Sequence, residues 1–138
     1  MRIIMNNDQI SSIKNTIENI EREIKNDINL DQLSNEVGIS KYHLHRLFKS
    51  LTDKSLMSYV RGRKLSCSLN DLSNTDLNII DIANEYHFEH EQSYIRAFKQ
   101  QFNMTPSQYR KSKCEILIEP KIDINHMHRR DDIIKRIQ

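Results

Sequence analysis

Part of this sequence is written twice. Leu33-Ser34-Asn35-Glu36-Val37-Gly38-Ile39 returns 49 positions later as Ile82-Ala83-Asn84-Glu85-Tyr86-His87-Phe88. Arg46-Leu47-Phe48-Lys49 returns 50 positions later as Arg96-Ala97-Phe98-Lys99, so the second copy holds one extra residue between its two halves. Ser55 and Tyr59 meet Thr105 and Tyr109 at the same offset of 50. Each copy therefore continues into a further element, and Thr105-Pro106 has the form of a helix start with proline at its first position. The two copies must share one local fold.

That local fold is helical. Only Gly38, Gly62, Pro106 and Pro120 are present, too few for a glycine-rich phosphate loop or for a sheet built on tight hairpins. Ile10, Ile13, Ile17, Ile20, Ile24 and Ile28 recur at spacings of three and four, with Asp8 as an N-cap, which predicts one amphipathic helix over 8–27. In the first copy Leu33 and Val37 face inward, Gly38 allows a positive-φ turn, and Ser40 caps a helix beginning at Lys41. Burying Leu44, Leu47 and Phe48 in that helix turns Tyr42, His45, Arg46 and Lys49 to its other faces. Between the copies, residues 56–72 read as one helix about 25 Å long at 1.5 Å per residue, expected to hold the two units apart. With 138 residues, the chain is expected to be one compact unit without a separate sensing or catalytic domain.

The net charge of +2 conceals a strong segregation. Residues 1–40 carry −3, 41–64 carry +6, 65–95 carry −6 with no Lys or Arg, and 96–113 carry +5. Clustered bases on helices suit a polyanion, because phosphate contacts come from local clusters rather than totals. A solvated helix face would read the same way from charge alone.

Other chemistry has less support. Cys67 and Cys114 form neither a disulfide framework nor a paired zinc motif, and a reducing cytosol suits them. The i, i+2 pairs His43/His45 and His126/His128 do not share a helix face, and His87/His90 with Glu91 lacks a completing cysteine pair, so no metal or other cofactor is expected. No catalytic triad or carboxylate pair is recognisable, and no enzyme is expected. Asn6-Asn7 interrupts the apolar opening Met1–Met5, and no apolar run exceeds three residues. Neither export nor a membrane span is expected.

The spellings Ser40-Lys41-Tyr42-His43-Leu44-His45-Arg46-Leu47-Phe48-Lys49, Tyr59-Val60-Arg61-Gly62-Arg63-Lys64-Leu65, Ile82-Ala83 and Phe98-Lys99-Gln100-Gln101-Phe102-Asn103-Met104-Thr105-Pro106-Ser107-Gln108-Tyr109-Arg110 closely resemble the DNA-binding domain of AraC/XylS-type transcription regulators. The likeness is strongest to the single-domain stress activators of the Mar, Sox and Rob type and covers residues 8–113. It implies an all-α, seven-helix domain: two tandem helix-turn-helix units at 31–50 and 79–101, joined by a linker helix at 55–72. It also implies one helix of each unit in successive major grooves of promoter DNA. Base readers by this resemblance are Tyr42, His45 and Arg46, then Glu91, Gln92, Ile95 and Arg96. Ser40, Lys41, Lys49, Arg61, Lys99, Thr105 and Arg110 fall at phosphate-contacting positions.

The chain departs from the family pattern with Tyr42 for tryptophan, Asp53 and His87 for glycines, and Glu91 for glutamine. A carboxylate facing DNA either accepts from cytosine N4 or is repelled by phosphate, so the first unit is expected to supply most of the affinity. The resemblance further implies a monomeric activator of the bacterial cytoplasm and nucleoid that contacts RNA polymerase. The alternatives are a repressor acting by occlusion, or a protein-interaction module using the acidic 65–95 surface. The tail 114–138, with Ile116-Leu117-Ile118 and Ile133/Ile134/Ile137, is expected to form a short strand and helix or to stay mobile. At about 25 residues it is too short for a ligand-sensing domain.

Overall fold

The first helix opens on a reciprocal pair: Asn6 Oδ1 accepts from the Gln9 amide at 2.8 Å, while the Asn6 amide donates to Gln9 Oε1 at 3.1 Å. In this computed structural model, which describes residues 6–112 and 118–123, that box starts α1 (Asn7–Arg22). Asn6 is therefore the cap in place of Asp8, which lies inside the first turn and faces the positive end of the helix dipole. The helix also stops five residues before the expected 27. Beyond Arg22, the carbonyls of Ile24 and Asn26 turn to a lysine ammonium instead of continuing the helical ladder. Ile13, Ile17 and Ile20 are buried on α1, whereas Ile24, of the same periodic stripe, packs in a different core.

Six further helices follow among the described residues: α2 (Leu30–Val37), α3 (Lys41–Thr52), α4 (Leu56–Asn74), α5 (Ile79–Glu85), α6 (Glu91–Phe102) and α7 (Pro106–Ser112). The all-helical fold anticipated from the sequence is the one observed. The expected strand and helix of the tail, with Cys114, lie outside the described residues.

The duplication reaches the backbone. Asn29 caps α2 by accepting from the Gln32 amide at 2.8 Å, and Asn78, 49 positions on, caps α5 by accepting from the Asp81 amide at 2.9 Å. Closing these helices, the Ile39 amide donates to Ser34 O at 3.2 Å and the Phe88 amide to Ala83 O at 3.0 Å. The left-handed residue is Gly38 (φ 74°) in the first turn and His87 (φ 57°) in the second. A Cβ built on Gly38 meets nothing within 4 Å, so glycine serves conformation there and not space. Asp53 (φ 62°) and Asn103 (φ 61°) then end α3 and α6, each with its amide 2.8 Å from a lysine carbonyl four residues back. Asp53 and His87, where the resemblance implies glycines, thus keep a backbone that glycine would adopt. Asp and Asn tolerate the left-handed region better than most residues.

The described chain divides into two compact units, where its length alone suggests one. The first comprises residues up to Arg22, Ile28–Ser58 and 121–123. In it α1, α2 and α3 pack on one another and bury Leu33, Leu44, Leu47, Phe48 and Leu56 completely or nearly so. Lys121 adds an ion pair to Glu18 at 2.8 Å. The second comprises Glu23–Asp27, 59–112 and 118–120. Its core joins Leu65, Leu69 and Leu72 of α4 to Ile82, Ala83, Tyr86, Tyr94, Phe98 and Phe102. An edge-on aromatic series, Phe88–Tyr94–Phe98–Phe102, runs through it with centroid spacings of 5.2, 5.8 and 4.7 Å. Two phenols are fixed on α4: Tyr94 Oη lies 2.8 Å from Ser68 Oγ, and Tyr86 Oη donates to Asp71 Oδ2 at 2.8 Å. Burial pushes the Tyr94 phenol up to about 12 and raises that of Tyr86 further.

Lys64 closes this core from α4. Only 7% exposed, its ammonium donates to the carbonyls of Ile24 (2.9 Å), Asn26 (2.7 Å) and Tyr86 (2.9 Å). It thereby pins the Glu23–Asp27 segment and the end of α5 to one point. Burial lowers its pKa to about 8, with Asp27 pulling the other way. Lys64→Met keeps the aliphatic stem and deletes the donors, and is expected to cost about 3 kcal/mol in urea unfolding at neutral pH, because buried carbonyls lose their partner. The folded value lies below the ordinary 10.5, so between pH 8 and 10 the unfolded chain holds the extra proton and the Lys64 contribution rises with pH. Wild type should gain stability relative to Lys64→Met across that window, and the raised tyrosines, common to both proteins, cancel in the difference. A flat difference would contradict the assignment.

Candidate nucleic-acid interface

Apolar burial sets the rotation of α3 and α6 about their own axes. In α3 the buried residues are Leu44, Leu47 and Phe48; in α6 they are Tyr94, Phe98 and Phe102. Opposite them, Tyr42, Arg46 and Lys49 are exposed on α3, and Gln92, Arg96 and Lys99 on α6. Each triplet has i, i+4, i+7 spacing and shares a face of its helix. Tyr42 is 78% exposed, an unusual position for a tyrosine in a packed domain. His45 and Ile95 are half-buried at equivalent positions beside these triplets.

Local contacts hold the α3 face in place. Arg46 Nη2 donates to His43 Nδ1 at 3.1 Å, which requires the Nε2–H tautomer of His43 because a guanidinium has no acceptor. Lys41 Nζ lies 3.5 Å from Asp31 Oδ1 and 5.5 Å from the centre of the Tyr42 ring, linking α3 to α2 within the first unit. His43, weighed from the sequence only as a metal ligand, was not anticipated as a partner of Arg46, although its i, i+3 spacing to that residue carried the signal.

The two helix starts differ. Ser40 Oγ accepts from the His43 amide at 3.1 Å, whereas His90 makes no side-chain cap bond. Glu91, half-buried in the first turn of α6, supplies a negative charge at that less well capped end. This gives the carboxylate a structural reason to stand at the start of α6. Thr105 Oγ1 accepts from the Gln108 amide at 3.1 Å in a second reciprocal box. Ser40 and Thr105 use only acceptor capacity in these caps, so their hydroxyl hydrogens are not consumed by them.

Not every base in the two positive blocks faces outward. Arg61, Lys49 and Lys99 are exposed. Lys64 is buried, and Arg63 donates to the Glu119 carbonyl and to Cys67 Sγ, the latter at 3.6 Å. Arg110, expected at a phosphate position, donates from Nε to Leu72 O at 3.0 Å and from Nη2 to Thr75 O at 3.4 Å, closing the carbonyl end of α4. Among the described residues no three His, Cys, Asp or Glu side chains come together as a metal site would need. His126 and His128 lie outside those residues. No described helix is long and apolar enough to cross a membrane.

A family profile described as a helix-turn-helix domain matches residues 33–112, from within α2 to the end of α7. The transcriptional regulator Rob of Salmonella typhimurium is 39% identical over 105 residues, covering 76% of this chain and 36% of that protein. The chain thus spans little more than a third of that relative's length. The HTH-type transcriptional activator AarP of Providencia stuartii is 34% identical over 118 residues, 83% of this chain and 87% of that one. A crystal structure of a transcriptional regulator from Chromobacterium violaceum, described by its AraC-type DNA-binding domain, matches in fold with a TM-score of 0.72 at 22% identity. The match covers 80% of this chain and 98% of that chain.

Lys41 and Glu91 stand at equivalent positions with opposite charge, and the N-terminus of α6 lacks the side-chain cap that α3 has. Arg46→Ala and Arg96→Ala should each cost about 1–3 kcal/mol on cognate DNA at fixed salt, with the larger loss at Arg46. Titration by fluorescence anisotropy measures both, and an equal or larger loss at Arg96 would reject the asymmetry.

Proposed function

The chain belongs to the AraC/XylS-type helix-turn-helix family of transcription regulators, and on that premise we propose that it is a sequence-specific DNA-binding activator. It reads an asymmetric promoter site as a monomer and makes contact with RNA polymerase. The observation that carries this reading is the pair of exposed triplets, Tyr42/Arg46/Lys49 and Gln92/Arg96/Lys99, each set opposite a fully formed apolar stripe. The apolar stripes explain why these helices fold. Nothing in the packing requires an arginine at both 46 and 96.

The roles follow from side-chain chemistry. Arg46 and Arg96 bond guanine O6 and N7 bidentately, and Gln92 addresses adenine N6 and N7 in the same manner. Tyr42 and Ile95 pack thymine methyls, His45 reaches a base edge beside Arg46, and Glu91 accepts from cytosine N4. Ser40, Lys41, Lys49, Arg61, Lys99 and Thr105 hold phosphates and fix register without reading sequence. Arg110 contributes to phosphate binding with the guanidinium N–H groups that α4 leaves over. Both reading helices lie in one chain and differ in sequence, so no two-fold axis is needed and the site has unlike halves. Activation rather than occlusion agrees with the designation of AarP as an activator.

Selection of bound duplexes from a random pool, followed by mass measurement of the complex, tests this directly. The expected result is two unlike half-sites about 10 bp apart, centre to centre, bound by one chain. A palindromic motif, two chains per duplex, or no enriched motif would overturn it.

A further inference from the structure

Residues 118–120 fall outside the segment matched by the family profile, yet they are tied to the second unit by several independent contacts. The Glu119 amide donates to Ser66 Oγ at 2.7 Å, and the Glu119 carbonyl accepts from Arg63. Ser66 is buried on α4. The same hydroxyl lies 3.5 Å from Gln101 Nε2 of α6, which also donates to Gly62 O at 3.4 Å. Gly62 leaves room for this approach: a Cβ built there would stand 2.9 Å from Glu119 Cγ, 3.1 Å from Glu119 Cβ and 3.4 Å from Gln101 Oε1. The 3.1 Å contact is to the root of a side chain and is not relieved by a rotamer change alone.

We infer that the face of α4 and α6 formed by Gly62, Ser66 and Gln101, with Arg63 at its edge, is a docking groove for a non-helical chain segment, occupied in this protein by residues 118–120. Both hydrogen-bonding groups of the Glu119 backbone are satisfied in the groove, the feature by which an irregular segment is held against a helix. Mid-helix glycine ordinarily weakens a helix, and at position 62 it makes space for the docked segment. Because the groove includes Gln101 near the end of α6, its occupant braces a reading helix against α4. The inference stands whether or not α6 reads DNA.

A double-mutant cycle tests it in the full-length chain. In wild type, Gly62→Ala should fail to stabilise or should destabilise, since the added methyl collides with Glu119. With Glu119→Gly, which removes the colliding atoms, Gly62→Ala should raise the folding equilibrium constant about fivefold, the ~1 kcal/mol by which alanine exceeds glycine inside a helix. Amide exchange followed by NMR reads the same groove without unfolding the protein. The Glu119 amide should exchange at least tenfold more slowly in wild type than in Ser66→Ala. Equal effects of Gly62→Ala in both backgrounds, of either sign, or a Glu119 amide indifferent to Ser66, would overturn the assignment.

Discussion

Burial of one apolar stripe on α3 and one on α6 is the constraint on which the rest of the molecule depends. Phe48 and Phe98 are both fully buried, and they stand 50 positions apart. Once each ring is inside, the 3.6-residue repeat leaves no freedom over what faces out: Arg46 and Lys49 in one helix, Arg96 and Lys99 in the other. The caps then fix where each helix begins and ends. Asn29 and Asn78 start α2 and α5, and Asp53 and Asn103 close α3 and α6 in the same left-handed conformation. The exposed basic face of each helix is therefore a by-product of hydrophobic packing, with sequence freedom reserved for the residues that packing leaves exposed.

Divergence between the two units is concentrated where packing tolerates it. The first turn uses Gly38 and the second His87, a costlier left-handed residue, with one more residue before the following helix. Aromatic rings fill the second core, and its tyrosine hydroxyls are satisfied by Ser68 and Asp71 on α4. Lys64 supplies that unit with a buried cation bonded to three carbonyls. Removing such a group from water is costly, and three carbonyl partners offset that cost while fixing the position of the chain that supplies them.

Most of the helical plan was legible because it is written in short-range periodicity and repeated. The offsets of 49 and 50 located both helix pairs, and the lengthened second turn follows from the difference between them. What could not be read was long-range. Lys64 lies in a basic block beside Arg61, yet its partners are 22 to 40 residues away, and nothing local distinguishes an inward lysine from a solvated one. Arg63 and Arg110 likewise find carbonyls 56 and 38 residues away. The isoleucine spacing continued past the true end of α1 because Ile24 is half-buried and Ile28 buried, so the apolar signal persists after the helix has stopped. Asn6 was missed as a cap because Asp8 is an equally good cap by composition, and only the Asn6–Gln9 pairing decides between them.

The central claim is that one arginine from each packed helix reads guanine in the major groove. Methylation interference on the selected DNA measures this most directly, since a methyl group on guanine N7 blocks a bidentate arginine. The account predicts two patches of interference about one helical turn apart, the first abolished by Arg46→Ala alone and the second by Arg96→Ala alone. A single patch, or two patches that survive both substitutions, would contradict it.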